Sequence, residues 1–170
     1  MLSLYVSLPL LTVIALGQSV LMPRLSVLGG RPNLIILAVI AWALRRGSAE
    51  GAVWGFMGGL LLDLFSGGPL GAMSLSLLVI GSVAGRRWGQ QLGSTFLQIV
   101  LLALGLCFAY HVLLLLILGW TGVPVYWTYS LQRVAAPSAI LNALLAPLVY
   151  VPLVWLDRRT RPEGLTFDGA

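Results

Sequence analysis

The sequence predicts an all-α membrane protein of six transmembrane helices, and three observations carry that reading. Hydrophobic residues make up 59% of the chain and charged residues 9%, against roughly 45–50% and about 25% in soluble domains. The mean hydropathy is +0.98. At 170 residues the chain is long enough for one packed domain, but ten basic and five acidic side chains cannot cover a water-facing surface. Finally, the apolar residues fall into six runs separated by Arg, Gly and Pro. Hydrocarbon offers backbone groups no water to bond, so such runs must be helices.

The first run, Leu4–Met22, ends at Pro23 and Arg24. The opening Met-Leu-Ser-Leu-Tyr lacks the basic region of a cleaved leader, so the run reads as a retained span. Gly29–Gly30–Arg31 precedes the second run, Pro32–Leu44, and Arg45–Arg46–Gly47–Ser48 separates it from the third, Gly51–Phe65. Both are short for a hydrocarbon core that takes about 20 helical residues to cross. Shelter by the other spans, snorkelling Arg and locally thinned lipid would accommodate them. A re-entrant hairpin is the rival reading; it would put Arg45 and Arg46 inside the membrane at high cost, which favours two full crossings. The turn Ser66–Gly67–Gly68–Pro69 opens the fourth run, Pro69–Gly85, which Arg86–Arg87 and Gly89–Gln90–Gln91 close. Ser94–Trp120 is the fifth run and Val134–Leu156 the sixth. Residues 1–157 thus read as a single six-helix domain, with 158–170 a short cytoplasmic polar tail.

Orientation follows from the arginines, since the chain has no Lys. With the N-terminus cytoplasmic, the inner segments hold Arg45, Arg46, Arg86, Arg87, Arg158, Arg159 and Arg161, and the outer loops hold Arg24, Arg31 and Arg133. That excess places both termini inside. Trp42, Trp54, Trp88 and Trp155 would then mark the inner boundary, and Trp120, Tyr126, Trp127 and Tyr129 the outer one. A pI near 10.2 could suggest nucleic acid, but these cations sit at the edges of apolar runs as topological markers and form no phosphate-binding stripe. The single cysteine, Cys107, excludes an internal disulfide and a thiolate cluster.

Gly51, Gly55 and Gly59 recur every fourth residue, with Asp63 one step further along the same helical row. A glycine row lets a second helix approach closely, which matters in lipid because apolar burial gives helices little drive to associate. The occupant is either another helix of the same chain or a partner's helix. Ala135, Ala139, Ala143 and Ala146 form a second small-residue face, with Asn142 as polar glue. Asp63 is the only acidic residue inside an apolar run and needs a partner. Arg31 and Arg133 lie on its predicted side, and the first N–H groups of the helix opening at Pro69 offer a cap instead. A proton relay would need several titrating groups in series, and His111 is the only other candidate. His111 and Cys107 stand one turn apart, too few for a metal site, and read as packing residues. No triad, dyad or metal–water arrangement is legible, so neither an enzyme nor a cofactor is expected.

Arg31-Pro32-Asn33-Leu34, the pair Arg45–Arg46, Gly55 and Gly59 leading into Leu60-Leu61-Leu62-Asp63-Leu64-Phe65-Ser66-Gly67-Gly68-Pro69-Leu70-Gly71, and the closing Arg86–Arg87 together resemble the rod-shape-determining membrane protein family MreD. The resemblance runs over about Arg31–Arg87. It implies a small polytopic component of the bacterial elongation machinery, without a reaction of its own. Its implied neighbours are MreC, the glycosyltransferase RodA with a class B penicillin-binding protein, and, indirectly, the MreB filament. It also implies the six-helix fold of the substrate-binding subunits of energy-coupling-factor transporters. Fold kinship does not carry the ligand with it.

The expectation is therefore a non-enzymatic scaffold of the bacterial inner membrane that binds MreC and helps to position or regulate the peptidoglycan synthase. Contact would come through small-residue faces and the outer segment Thr121–Arg133. The alternative is a small-molecule, vitamin-binding subunit of an energy-coupling-factor type transporter, which would need convergent polar groups in an outward-facing pocket.

Overall fold

The computed structural model describes residues 2–21, 29–86 and 95–160; Arg24, Arg87, Trp88 and Arg161 lie outside them. Among the described residues the regular structure is helical throughout: α1 (Leu2–Leu21), α2 (Leu34–Arg46), α3 (Ser48–Ser66), α4 (Ala72–Ala84), α5 (Thr95–Trp120), a single turn α6 (Trp127–Tyr129), a π-helical stretch (Ser130–Ala135) and α7 (Ala136–Thr160).

Helix α2 is the centre of the bundle. Every residue from Ile35 to Ala43 is buried, which explains how a 13-residue helix of Leu, Ile, Val and Ala can be this short: its surroundings are protein. Asn33 caps it, Oδ1 accepting from the Ile36 N–H at 3.2 Å, and Arg45 and Arg46 sit in its last turn, where cations offset the helix dipole. Gly47 alone reverses the chain into α3. Its φ of 94° and ψ of 179° belong to a region essentially reserved for glycine, and its N–H closes on the Ala43 carbonyl at 2.8 Å.

Helices α3 and α4 run antiparallel in tight register. A Cβ built on Gly51 would fall on the Gly81 carbonyl, one on Gly55 on the Leu77 carbonyl, and one on Gly59 on the Ser74 backbone. The glycine row is therefore filled by α4 of the same chain. Gly85 closes the far end of the seam against Gly47 and Ser48. Helix α1 packs on α3 from the side, with Leu11 fully buried and near Gly58.

Helices α5 and α7 flank this block. The stretches Phe96–Trp120 and Trp127–Arg159 are long and apolar enough to cross a membrane, and only 22% and 28% of their apolar windows are buried within the chain. The core helix of a water-soluble protein would be mostly buried; here Leu144, Leu148 and Val151 are exposed by 71%, 72% and 67%. An outward surface of that kind suits lipid. Two differences from the sequence reading stand out. Half of the expected outer loop Thr121–Arg133 is helical and continuous with α7, and α7 runs through Arg158 and Arg159 to Thr160.

Candidate functional site

Asp63 ends the glycine row and is 2% exposed. Its Oδ1 accepts from the Met73 N–H at 2.9 Å. Oδ2 accepts from the N–H groups of Gly71 and Ser74, each at 3.0 Å, and from the Ser74 hydroxyl at 2.5 Å. The carboxylate is thus the cap of α4, presented from α3. Gly71, with φ 98°, makes this possible by turning the amides inward. The helix opens at Ala72 rather than Pro69, so the expected cap forms three residues later. An ion pair to Arg31 or Arg133 does not form: neither makes one among the described residues. The Arg31 backbone N–H donates to Ser138 Oγ at 3.0 Å, and Arg133 contributes its carbonyl, against which Gly29 is pressed.

At the opposite end of the bundle lies a charge cluster that the sequence reading missed. Asp157 of α7 has a fully buried side chain between the two arginines of α2. Arg45 reaches Oδ2 through Nε and Nη2, each at 3.1 Å, and Arg46 Nε donates to Oδ1. Arg46 also lies 4.0 Å from Glu50 and 5.2 Å from the Trp42 ring centroid. Glu50 accepts from Trp42 Nε1 at 2.9 Å, and Trp42 stacks on Trp54 with centroids 4.2 Å apart and planes 15° from parallel. Both tryptophans are 1% exposed, so they fasten α2 to α3 and do not face lipid headgroups. Trp155 does stand outside, under Arg159 at 4.2 Å. Asp157 was legible in one respect: Ala135, Ala139, Asn142, Ala146, Leu153 and Asp157 follow one helical row, and all are buried.

The second small-residue face is also occupied within the chain. Ala135, Ala139, Asn142 and Ala143 are at most 4% exposed, and Asn142 Oδ1 accepts from the Asn33 N–H at 2.8 Å. That bond ties the start of α2 to α7. Neither Gly51, Gly55 and Gly59 nor this row is therefore open to a partner helix.

Beside the Asp63 cap is a cavity of about 510 Å³ walled by α1, the segment leading into α2, the end of α3, the start of α4, α5, and the π-helical stretch with the start of α7, within the usual range of ligand pockets. Tyr110 and His111 line it and meet edge to face, centroids 5.3 Å apart. His111 Nδ1 lies 2.8 Å from the Cys107 carbonyl; a carbonyl can only accept, so that nitrogen carries a proton, and in the neutral ring Nε2 keeps a lone pair. Cys107 and His111, both expected as packing residues, are thus joined through the backbone carbonyl of Cys107.

A family model described as rod shape-determining protein MreD matches residues 2–159. The chain belongs to the MreD family. Membership gives it a role in rod-shape determination. The MreD match extends well beyond the Arg31–Arg87 stretch that carries the resemblance, and takes in α1, α5 and the Asp157 that closes the Arg45–Arg46 cluster. Comparison with curated proteins and with solved structures gives no match.

Proposed function

We propose that this chain is a non-catalytic scaffold of the bacterial inner membrane that binds MreC and positions or regulates the elongation synthase, RodA with a class B penicillin-binding protein, with MreB engaged indirectly. Family membership supports the setting. The observation that carries the mode of action is a division of surfaces. Both small-residue faces are consumed by internal packing, whereas Trp120, Tyr126 and Tyr129 stand 91%, 77% and 65% exposed at the α5–α7 connection. Aromatic side chains of this kind bring large contact area at low entropic cost and dominate the energetics of protein interfaces. Partner contact on this reading comes from the aromatic connection and the outer flanks of α5 and α7. The test is co-purification from membranes: Trp120→Ala with Tyr126→Ala should yield folded chain that no longer retains MreC. Retention at wild-type level would remove this segment from the interface.

The second reading, a ligand-binding transporter subunit, is favoured by the cavity beside Tyr110 and His111. Recovery of transporter ATPases instead of MreC in the same experiment would establish it.

A further inference from the structure

The cavity beside the Asp63 cap carries more hydrogen-bonding capacity than the fold uses. Gln18 spends its Oε1 on the Ile35 N–H at 3.3 Å, and Asn33 spends its Oδ1 on the Ile36 N–H; both residues line the cavity, and each retains an amide NH2 without a partner among the described residues. Tyr110 is 2% exposed, lines the same space, and its hydroxyl bonds to no described residue. Arg31 also lines the cavity, is exposed and forms no ion pair among the described residues. In the neutral ring His111 Nε2 is a spare acceptor. The Asp63 carboxylate is not among the lining residues and accepts from four donors of its own. Around these groups the wall is apolar, with Leu62, Met73, Leu114 and Val134.

Two amide side chains, a tyrosine and an arginine thus line one half-apolar space. None of these donors has an acceptor among the described residues, and one ligand would satisfy several. A neutral apolar molecule would leave them unmet, and a cation would face Arg31. We propose that this cavity binds an oxyanion, a phosphate or carboxylate group, attached to an apolar body. Arg31 carries the charge recognition, Tyr110 and the amides of Gln18 and Asn33 supply neutral donors, and Leu62, Leu114 and Val134 take the apolar part. The inference rests on the cavity alone and stands under either reading of the protein's role.

Thermal unfolding of the full chain in a neutral detergent tests it, with four probes: dodecyl phosphate, dodecanol, inorganic phosphate and dioleoylphosphatidic acid. Dodecyl phosphate should raise the midpoint in a saturable way and dodecanol should not. Charge-assisted hydrogen bonds to the oxyanion are the stronger kind, so Arg31→Gln should weaken dodecyl phosphate binding by about tenfold or more, and Tyr110→Phe by a smaller factor. Without probe, both variants should unfold with wild type, because the replaced atoms bond to nothing in the described fold. An Arg31-dependent shift with inorganic phosphate alone identifies a soluble source for the oxyanion; one with phosphatidic acid identifies a lipid headgroup. The proposal is overturned if no oxyanion probe shifts the midpoint, if dodecanol shifts it equally, or if the shift survives Arg31→Gln. The comparison of dodecyl phosphate with dodecanol on wild type decides the matter even if a variant fails to fold.

Discussion

Gly51 and Gly81 face each other across α3 and α4 so closely that a methyl group on either would overlap the other's carbonyl. In lipid, where apolar burial drives association only weakly, the dispersion contacts of such a seam are what hold two helices together.

Gly51→Leu, Gly55→Leu and Gly81→Leu should each lose folded protein, since the clashing atoms are backbone and cannot rotate away; an overpacking cost of about 3 kcal/mol or more follows. Gly105→Ala on α5, where a Cβ meets nothing within 4 Å, should be neutral or stabilise by about 0.5–1 kcal/mol. Unfolding midpoints in detergent compare them. Equal behaviour of Gly81→Leu and Gly105→Ala would mean that the seam is not tight.

For Asp63, replacement by Asn is not conservative. One oxygen can still serve the three donors at Oδ2, but the new NH2 then faces the Met73 N–H, donor against donor. A loss of about 1–3 kcal/mol is expected for Asp63→Asn, and more for Asp63→Leu, which abandons all four bonds. Ser74→Ala, removing only the hydroxyl, should cost the least. An Asp63→Asn variant as stable as wild type would show that the charge and the Met73 bond contribute nothing.

Removing Asp157 leaves two arginines around an empty buried site. Breaking a buried pair from one side costs about 3–5 kcal/mol, so Asp157→Ala should be among the most damaging single changes. Arg45→Gln should do less harm than Arg46→Gln, because Arg45 is 29% exposed against 16% and lacks the Trp42 and Glu50 contacts. The reverse order would contradict the geometry.

The stacked tryptophans should respond unequally. Trp42→Phe forfeits a hydrogen bond to Glu50, a charged acceptor worth about 1.5–3 kcal/mol. Trp54→Phe removes a buried Nε1 with no partner among the described residues, so relief of the unmet donor offsets the lost volume and the net cost is smaller than for Trp42→Phe. Denaturation of the two variants side by side measures the difference.

Compartment reporters fused after Arg46 and after Ala170 should read cytoplasmic, and one at Gly68 external, as the arginine distribution requires. An external signal after Arg46 with an internal one at Gly68 would defeat that topology.

Helix limits were legible because the breakers are chemical. The run Pro32–Leu44 became α2 at Leu34–Arg46, and Ser94–Trp120 became α5 at Thr95–Trp120. Glycine spacing announced a close approach but not its occupant, since a missing Cβ is equally open to a helix of the same chain. The Asp63 cap was legible in kind from the Gly-Gly-Pro turn, and three residues off because Gly71 carries the turn. Asp157 escaped because its neighbours Arg158 and Arg159 made it resemble the start of a solvated tail; its burial depends on α2 arriving from 112 positions away in sequence. The π-helical stretch at Ser130–Ala135 has no signature in residue type that a periodicity reading could detect.

Asp63 keys α3 to α4 at one end of the bundle, and Asp157 keys α7 to α2 at the other. Sliding α3 by one turn, about 5.4 Å, would drive glycine carbonyls into side chains and strip the carboxylate of its donors in the same movement; sliding α7 would pull Asp157 out of its arginine fork. The four helices are therefore latched against axial displacement by two independent catches. A signal passing through this protein would have to travel as a tilt of the whole block, or through α1 and α5, which neither catch holds.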